Sequence, residues 1–172
     1  MDNNVKNEYA YNESYKTLVW ESFTKNKSSR FSNGAPIHAS IILEAMLTFA
    51  KNKVRIFCED LDAFVYDRPE LVMALKQALA RNVLIEILTQ KYPKSKEFKN
   101  VIESDKNGLA WIHVADSDFV RNRNENFAIM DMRAFRFEPD KRKKEALACA
   151  NEPISVGVLD SNFSKLLAMS KA

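Results

Sequence analysis

The sequence predicts a three-layer α/β sandwich: a mixed, mostly parallel sheet with helices on both faces. Helical and strand-like stretches alternate through the first two-thirds of the chain, which is the pattern of layered α/β domains. VLIEIL (83–88) is a nearly unbroken apolar run, as an interior strand covered on both faces requires. Strand-like segments then crowd together after residue 109, which makes the sheet mixed rather than purely parallel.

Residues 1–12 are polar and are expected to be a flexible lead-in, with a single domain over 13–172. Residues 13–25 carry Tyr15, Leu18, Val19 and Phe23 at three- and four-residue spacing and suit a short helix. KNKSSRFSNGAP (25–36) is rich in Ser, Asn, Gly and Lys and suits a loop. Pro36 is a favourable first-turn residue. The helix it opens lines Ile37, Ile41, Ile42, Ala45, Met46 and Phe49 along one face, while Leu43 and Leu47 imply burial on a second side.

VRIFC (54–58) is β-branched and apolar, a strand. Pro69 opens the next helix, with Leu71, Val72, Leu75, Ala78 and Leu79 turned inward, and VLIEIL follows. Residues 94–104 suit a third helix and LAWIHVA (109–115) a third strand. NFAIM (126–130) and AFRF (134–137) suit two more strands around a tight connection. KRKK (141–144) with EALACA is expected to begin a surface helix or an extended loop. ISVGVL (154–159) is expected to be a last strand, with Asp160 or Ser161 capping a closing helix that carries Phe163, Leu166, Leu167 and Met169.

Composition narrows function by exclusion. Three glycines leave no glycine-rich phosphate loop, and 46% hydrophobic with 28% charged residues is an ordinary globular balance. Cys58 and Cys149 are too few for a disulfide framework or a cysteine-based zinc site. No apolar stretch approaches the roughly 18 residues of a membrane span, and the N-terminus lacks an apolar signal region. A cytoplasmic chain without metal or cofactor is the resulting expectation.

The stretch RNRNENFAIMDMRAFRF (121–137) carries the chemistry. Residues 121–144 hold eight basic side chains (Arg121, Arg123, Arg133, Arg136, Lys141, Arg142, Lys143, Lys144) against four acids (Glu125, Asp131, Glu138, Asp140). That excess of four exceeds the +3 of the whole chain, so the remainder is slightly acidic. Arginine pairs bidentately with phosphate, so the concentration of charge points to a polyanion partner. A solvated charged face is the competing explanation. Phe119, Phe127, Phe135 and Phe137 sit at strand-like core positions and do not support base stacking.

Asn124-Glu125-Asn126-Phe127-Ala128-Ile129-Met130-Asp131 keeps the spacing His-x-Lys-x-x-x-x-Asp. In this, and in the order of elements over roughly residues 36–170, the chain resembles the phospholipase D-like superfamily, of the type with one motif per chain. Asparagine stands at both the histidine and the lysine position, and only the aspartate is retained. In that family the histidine attacks phosphorus and the lysine stabilises phosphoryl charge. An asparagine amide does neither, so the resemblance implies a silent site with no catalytic residue. It also implies a homodimer, since single-motif members build one site from two chains.

The candidate phosphate- or nucleic-acid-binding residues are therefore Arg121, Arg123, Asn124, Asn126, Asp131 and Arg133. The partner is a second copy together with nucleic acid, or a protein. Two alternatives stay open: an active phosphodiesterase or nuclease with a non-standard site, and a regulatory scaffold without a polyanion ligand. His38 sits in the first turn of a core helix. His113, in WIHVA, could approach the motif only if its strand neighboured the motif strand, and Ser117 has no histidine to activate it.

Overall fold

VRIFC and VLIEIL lie side by side as a parallel pair, the fifth and sixth strands across a seven-stranded sheet. A computed structural model describes residues 3–170, with side chains from residue 12 onward. In chain order the elements are α1 (Asn3–Thr24), β1 (Phe31–Asn33), α2 (Pro36–Phe49), β2 (Lys53–Cys58), α3 (Ala63–Tyr66), α4 (Pro69–Ala80) and β3 (Leu84–Thr89). Then follow α5 (Glu97–Glu103), β4 (Ala110–Val114), α6 (Asp118–Arg121), β5 (Asn126–Met130), β6 (Ala134–Asp140), β7 (Glu145–Cys149) and α7 (Pro153–Met169). The strand order across the sheet is β1-β7-β6-β5-β2-β3-β4.

Alternation along each strand sorts the core into two halves. Val54, Ile56, Ile85, Ile87, Ala128 and Met130 point to one face, under Val19, Phe23, Ile42, Met46, Leu71, Leu75 and Phe98 of the helices α1, α2, α4 and α5. Phe57, Leu88, Phe127, Ile129 and Phe135 point to the other, under Val120 of α6 and Val156, Phe163 and Leu166 of α7. The three layers are as expected, and α2, packed against α1, α4 and β5, is buried on more than one side.

The sheet is mixed but not mostly parallel. β2–β3 and β3–β4 are parallel, whereas β2–β5, β5–β6, β6–β7 and β1–β7 are antiparallel. The turns 131–133 and 141–144 are too short for a crossover, so the strands they join must run in opposite directions.

Four local expectations are corrected. Of the lead-in placed over 1–12, residues 1 and 2 lie outside the described residues and the rest form the opening turns of α1. The loop at 25–36 contains β1, which completes the sheet edge by pairing with β7. KRKK is the turn of a β6–β7 hairpin, and EALAC is β7 itself. ISVGVL forms the first turns of α7, not a strand. Pro153, preset for a first helical turn, starts that helix. Val156, Phe163 and Leu166 then bury at helical spacing, while Ile154 and Val158 face solvent. Asp160 and Ser161 consequently lie inside the helix and cap nothing. Asp160 accepts instead from Arg55 Nη1 at 2.9 Å beneath α7.

Candidate functional site

β5 delivers the motif to the sheet with its two halves at opposite ends. Asn126 opens the strand, and Asp131 follows it in the β5–β6 turn. At about 3.3 Å per residue the two are roughly 17 Å apart. Asp131 therefore does not join Asn126 in one phosphate cradle. With φ of 51° it turns its carboxylate onto the α2–β2 connection. There it accepts from the amides of Lys51 at 2.6 Å and of Asn52 and Lys53 at 2.8 Å. Arg133 belongs to the same far end, where Nη1 donates to Asn26 Oδ1 at 2.5 Å.

The near end gathers Asn124, Asn126, Arg121 and Arg123. Asn126 Nδ2 donates to Glu138 Oε2 at 2.7 Å, its register partner on β6. Glu138 Oε1 lies 3.6 Å from Arg136 Nη2. The Arg136 guanidinium donates from Nε and Nη2 to Asn33 Oδ1 of β1, at 3.3 and 3.1 Å. A polar chain thus runs from Asn126 through Glu138 and Arg136 to Asn33, and the last three are buried. Asn126 Oδ1 and Asn33 Nδ2 are themselves buried without a hydrogen-bond partner. Asn124 is exposed, and its carbonyl accepts from the Lys141 amide at 2.9 Å.

A cavity of about 140 Å³ opens over this chain, lined by Asn126, Arg136, Glu138, Cys58, Asp60 and Tyr66 among others. Burial pushes the Cys58 thiol up to about 12 and also raises the Tyr66 phenol. Neither group ionises near neutrality, so the cavity has no ready thiolate or phenolate nucleophile.

Most cations around the mouth are already engaged. Lys91 and Lys141 both approach Glu59 Oε1, at 2.6 and 3.4 Å, and hydrogen bonding to Lys91 holds that carboxyl below its usual range. Lys94 pairs with Asp60 at 2.6 Å. Arg121 donates from Nε to the Ala115 carbonyl at 2.7 Å, with Asp116 at 3.7 Å. Arg123 donates to Glu125 at 2.5 Å and lies over the Phe119 ring. Lys143 and Lys144 on the β6–β7 turn are exposed and have no ion-pair partner among the described residues.

Neither histidine lines this cavity. His113 is on β4, separated from β5 by β2 and β3, so the condition for its approach fails. His38 is buried on α2 and stacks on Tyr15 with ring centroids 4.1 Å apart. Burial lowers its pKa. Among the described residues no group of three or more His, Cys, Asp and Glu could hold a metal ion.

Sequence reasoning missed Glu138, Asn33 and the buried role of Arg136. The signal for two of them was present. Arg136 and Glu138 alternate with Phe135 and Phe137, so charge had to enter one face of a sheet covered on both sides. Asn33 gave no signal, because its strand looked like loop.

No family model and no curated protein matches the chain. Solved structures do. Nuc from Salmonella typhimurium, a phospholipase D family member, superposes with a TM-score of 0.59 at 14% identity, over 82% of this chain and 95% of that one. NucT from Helicobacter pylori gives 0.57 at 15% identity, over 83% and 96%. TrmBL2, an archaeal chromatin protein whose structure is described as showing a novel mode of DNA binding, gives 0.60 at 17% identity. It covers 96% of this chain, which spans 64% of TrmBL2's length. The seven-stranded mixed sheet and its layers are a phospholipase D-like fold. No helix among the described residues is long and apolar enough to cross a membrane.

Proposed function

We propose that this protein is a catalytically silent phospholipase D-fold module that works as a homodimer and binds nucleic acid or another phosphate-bearing partner. One observation carries the reading. The catalytic positions of the motif are Asn124 and Asn126, and the amide donor of Asn126 is spent on Glu138. An amide supplies neither nucleophile nor proton. Loss of general acid–base chemistry alone costs on the order of 100- to 10,000-fold.

Binding survives the loss of chemistry. The likeness to TrmBL2, a protein described by its DNA binding, supports nucleic acid as the ligand. The free ammonium groups of Lys143 and Lys144 supply the contact, with Arg121, Arg123 and Asn124 beside them at the same end of the sheet. Two copies meeting at their motif ends would double this charge density. Asp131 and Arg133, at the far end, stay outside the interface.

A titration against DNA and RNA at two salt concentrations tests this. Affinity is expected to be micromolar or weaker and to fall steeply with salt. Replacing Lys143 and Lys144 together by Ala is expected to weaken binding to every sequence alike and to flatten the salt slope by about one per lysine. Salt-indifferent binding, or none, would favour a scaffold without a polyanion ligand. Metal-independent phosphodiester turnover by contaminant-free protein would favour the enzyme.

A further inference from the structure

We propose that the β4 edge is a homotypic contact, at which the β4 strands of two copies pair antiparallel across a two-fold axis and extend the sheet from one copy into the next. β4 is the last strand beyond β3, and all five of its residues are partly exposed. The ladder to β3 fixes which backbone groups point inward. Ile85 donates to the Leu109 carbonyl, and Ala115 donates to the Thr89 carbonyl. In a parallel ladder of this register, Leu109, Trp111, His113 and Ala115 spend their polar groups on β3. Ala110, Ile112 and Val114 direct theirs outward.

Of the three outward amides, that of Ala110 is taken by Asp105 Oδ2 at 3.0 Å. The amides of Ile112 and Val114 and the carbonyls of all three have no hydrogen-bond partner among the described residues. That remainder is self-complementary. With the axis at Ile112, the two Ile112 residues exchange both of their hydrogen bonds. Each Val114 amide meets the Ala110 carbonyl of the other copy. Every free outward donor is then satisfied, and the one donor the pairing cannot use is the one Asp105 already holds.

Side chains permit the same register. Trp111 falls opposite His113 of the other copy, so no like charges face each other. The strand AWIHV lacks the lysine, proline or bulge with which isolated edges are commonly blunted. This contact does not rest on the nucleic-acid reading. Two strands, β2 and β3, separate it from β5, and it leaves the motif end free, so copies joined at both surfaces extend into a larger assembly.

Amide exchange of the full chain, followed alongside its mass by light scattering over about a hundredfold range of concentration, tests the pairing. Protection at Ile112 and Val114 is expected to rise with concentration together with mass. Val114→Pro removes an outward donor and leaves the ladder to β3 intact. It is expected to raise the homotypic dissociation constant at least about tenfold with the fold preserved. Val114→Lys, which alters no backbone bond, is expected to act in the same direction, and it decides the matter if the proline variant does not fold. Rapid exchange of both amides at every concentration would overturn the proposal. So would unchanged self-association in Val114→Lys, or protection that appears only when a different protein is added.

Discussion

Asp131 holds three successive backbone amides of the α2–β2 connection, and it does so from a left-handed conformation that aspartate tolerates better than most residues. Hydrogen bonds to a charged acceptor contribute about 1.5–3 kcal/mol each when buried, less where water competes. Asp131→Ala is therefore expected to cost about 3 kcal/mol in denaturant unfolding while leaving nucleic-acid affinity unchanged. A loss of affinity at full stability would return Asp131 to the ligand site. Arg121 and Arg123 carry local structure as well as charge. Each is tied to its own neighbourhood, through the Ala115 carbonyl and the Glu125 carboxylate. Their joint replacement by Ala is expected to lower the melting temperature as well as any affinity. The raised thiols of Cys58 and Cys149, both caused first by burial, lead to slow alkylation in the folded protein, which a denatured control calibrates.

At the scale of elements, α7 is fastened to the sheet by a charge inside the layer. Arg55 projects from β2 toward α7, donating to Glu86 Oε2 at 2.5 Å and to Asp160 Oδ1 and Ser164 Oγ at 2.9 and 3.0 Å. Its guanidinium lies 4.9 Å from the Phe163 ring centroid. Removing one partner of such a network strands the others, so Arg55→Leu is expected to destabilise by about 2 kcal/mol. The largest rise in amide exchange should fall in α7. A uniform rise across the chain would mean that the network supports the whole core rather than this helix. At the other side of the molecule, Asp67 organises the start of α5 by accepting from Ser95 and from the amides of Lys96, Glu97 and Phe98. Burial opposes its charge, yet these four bonds together keep its carboxyl below the ordinary value.

Over the whole molecule, acid stability follows from several depressed carboxyls. Glu152, beside Arg30 and Ser155, is the clearest, falling from 4.5 to about 2. A carboxyl depressed in the folded state contributes stability above its unfolded value and loses it as pH falls through the folded one. The contribution of Glu152 therefore disappears between pH 4.5 and about 2. Its partner Arg30 is half exposed, so screening by water reduces the effect. Denaturant midpoints measured across that window should decline for the wild-type chain and decline less steeply for Glu152→Gln. Parallel slopes would show that this pair contributes nothing to the pH dependence.

What the sequence determined by itself is whatever local pattern can encode. The apolar runs of β2, β3 and β5 and the proline-led starts of α2 and α4 announce their elements with little help from elsewhere. The layered class was legible in the same way. Tertiary structure decided the rest, because it depends on partners distant in the chain. FSN is a strand only because β7 lies beside it. ISVGVL is a helix because α7 must cover the Phe57 face, and a short β-branched run has no period strong enough to refuse. Only the strand order set β2 and β3 between His113 and the motif. The candidate site divided in two for an equally plain reason. Five residues advance only about 7.5 Å along a helix but roughly 17 Å along a strand, which leaves Asn126 at the cavity and Asp131 on the backbone at the opposite end of β5.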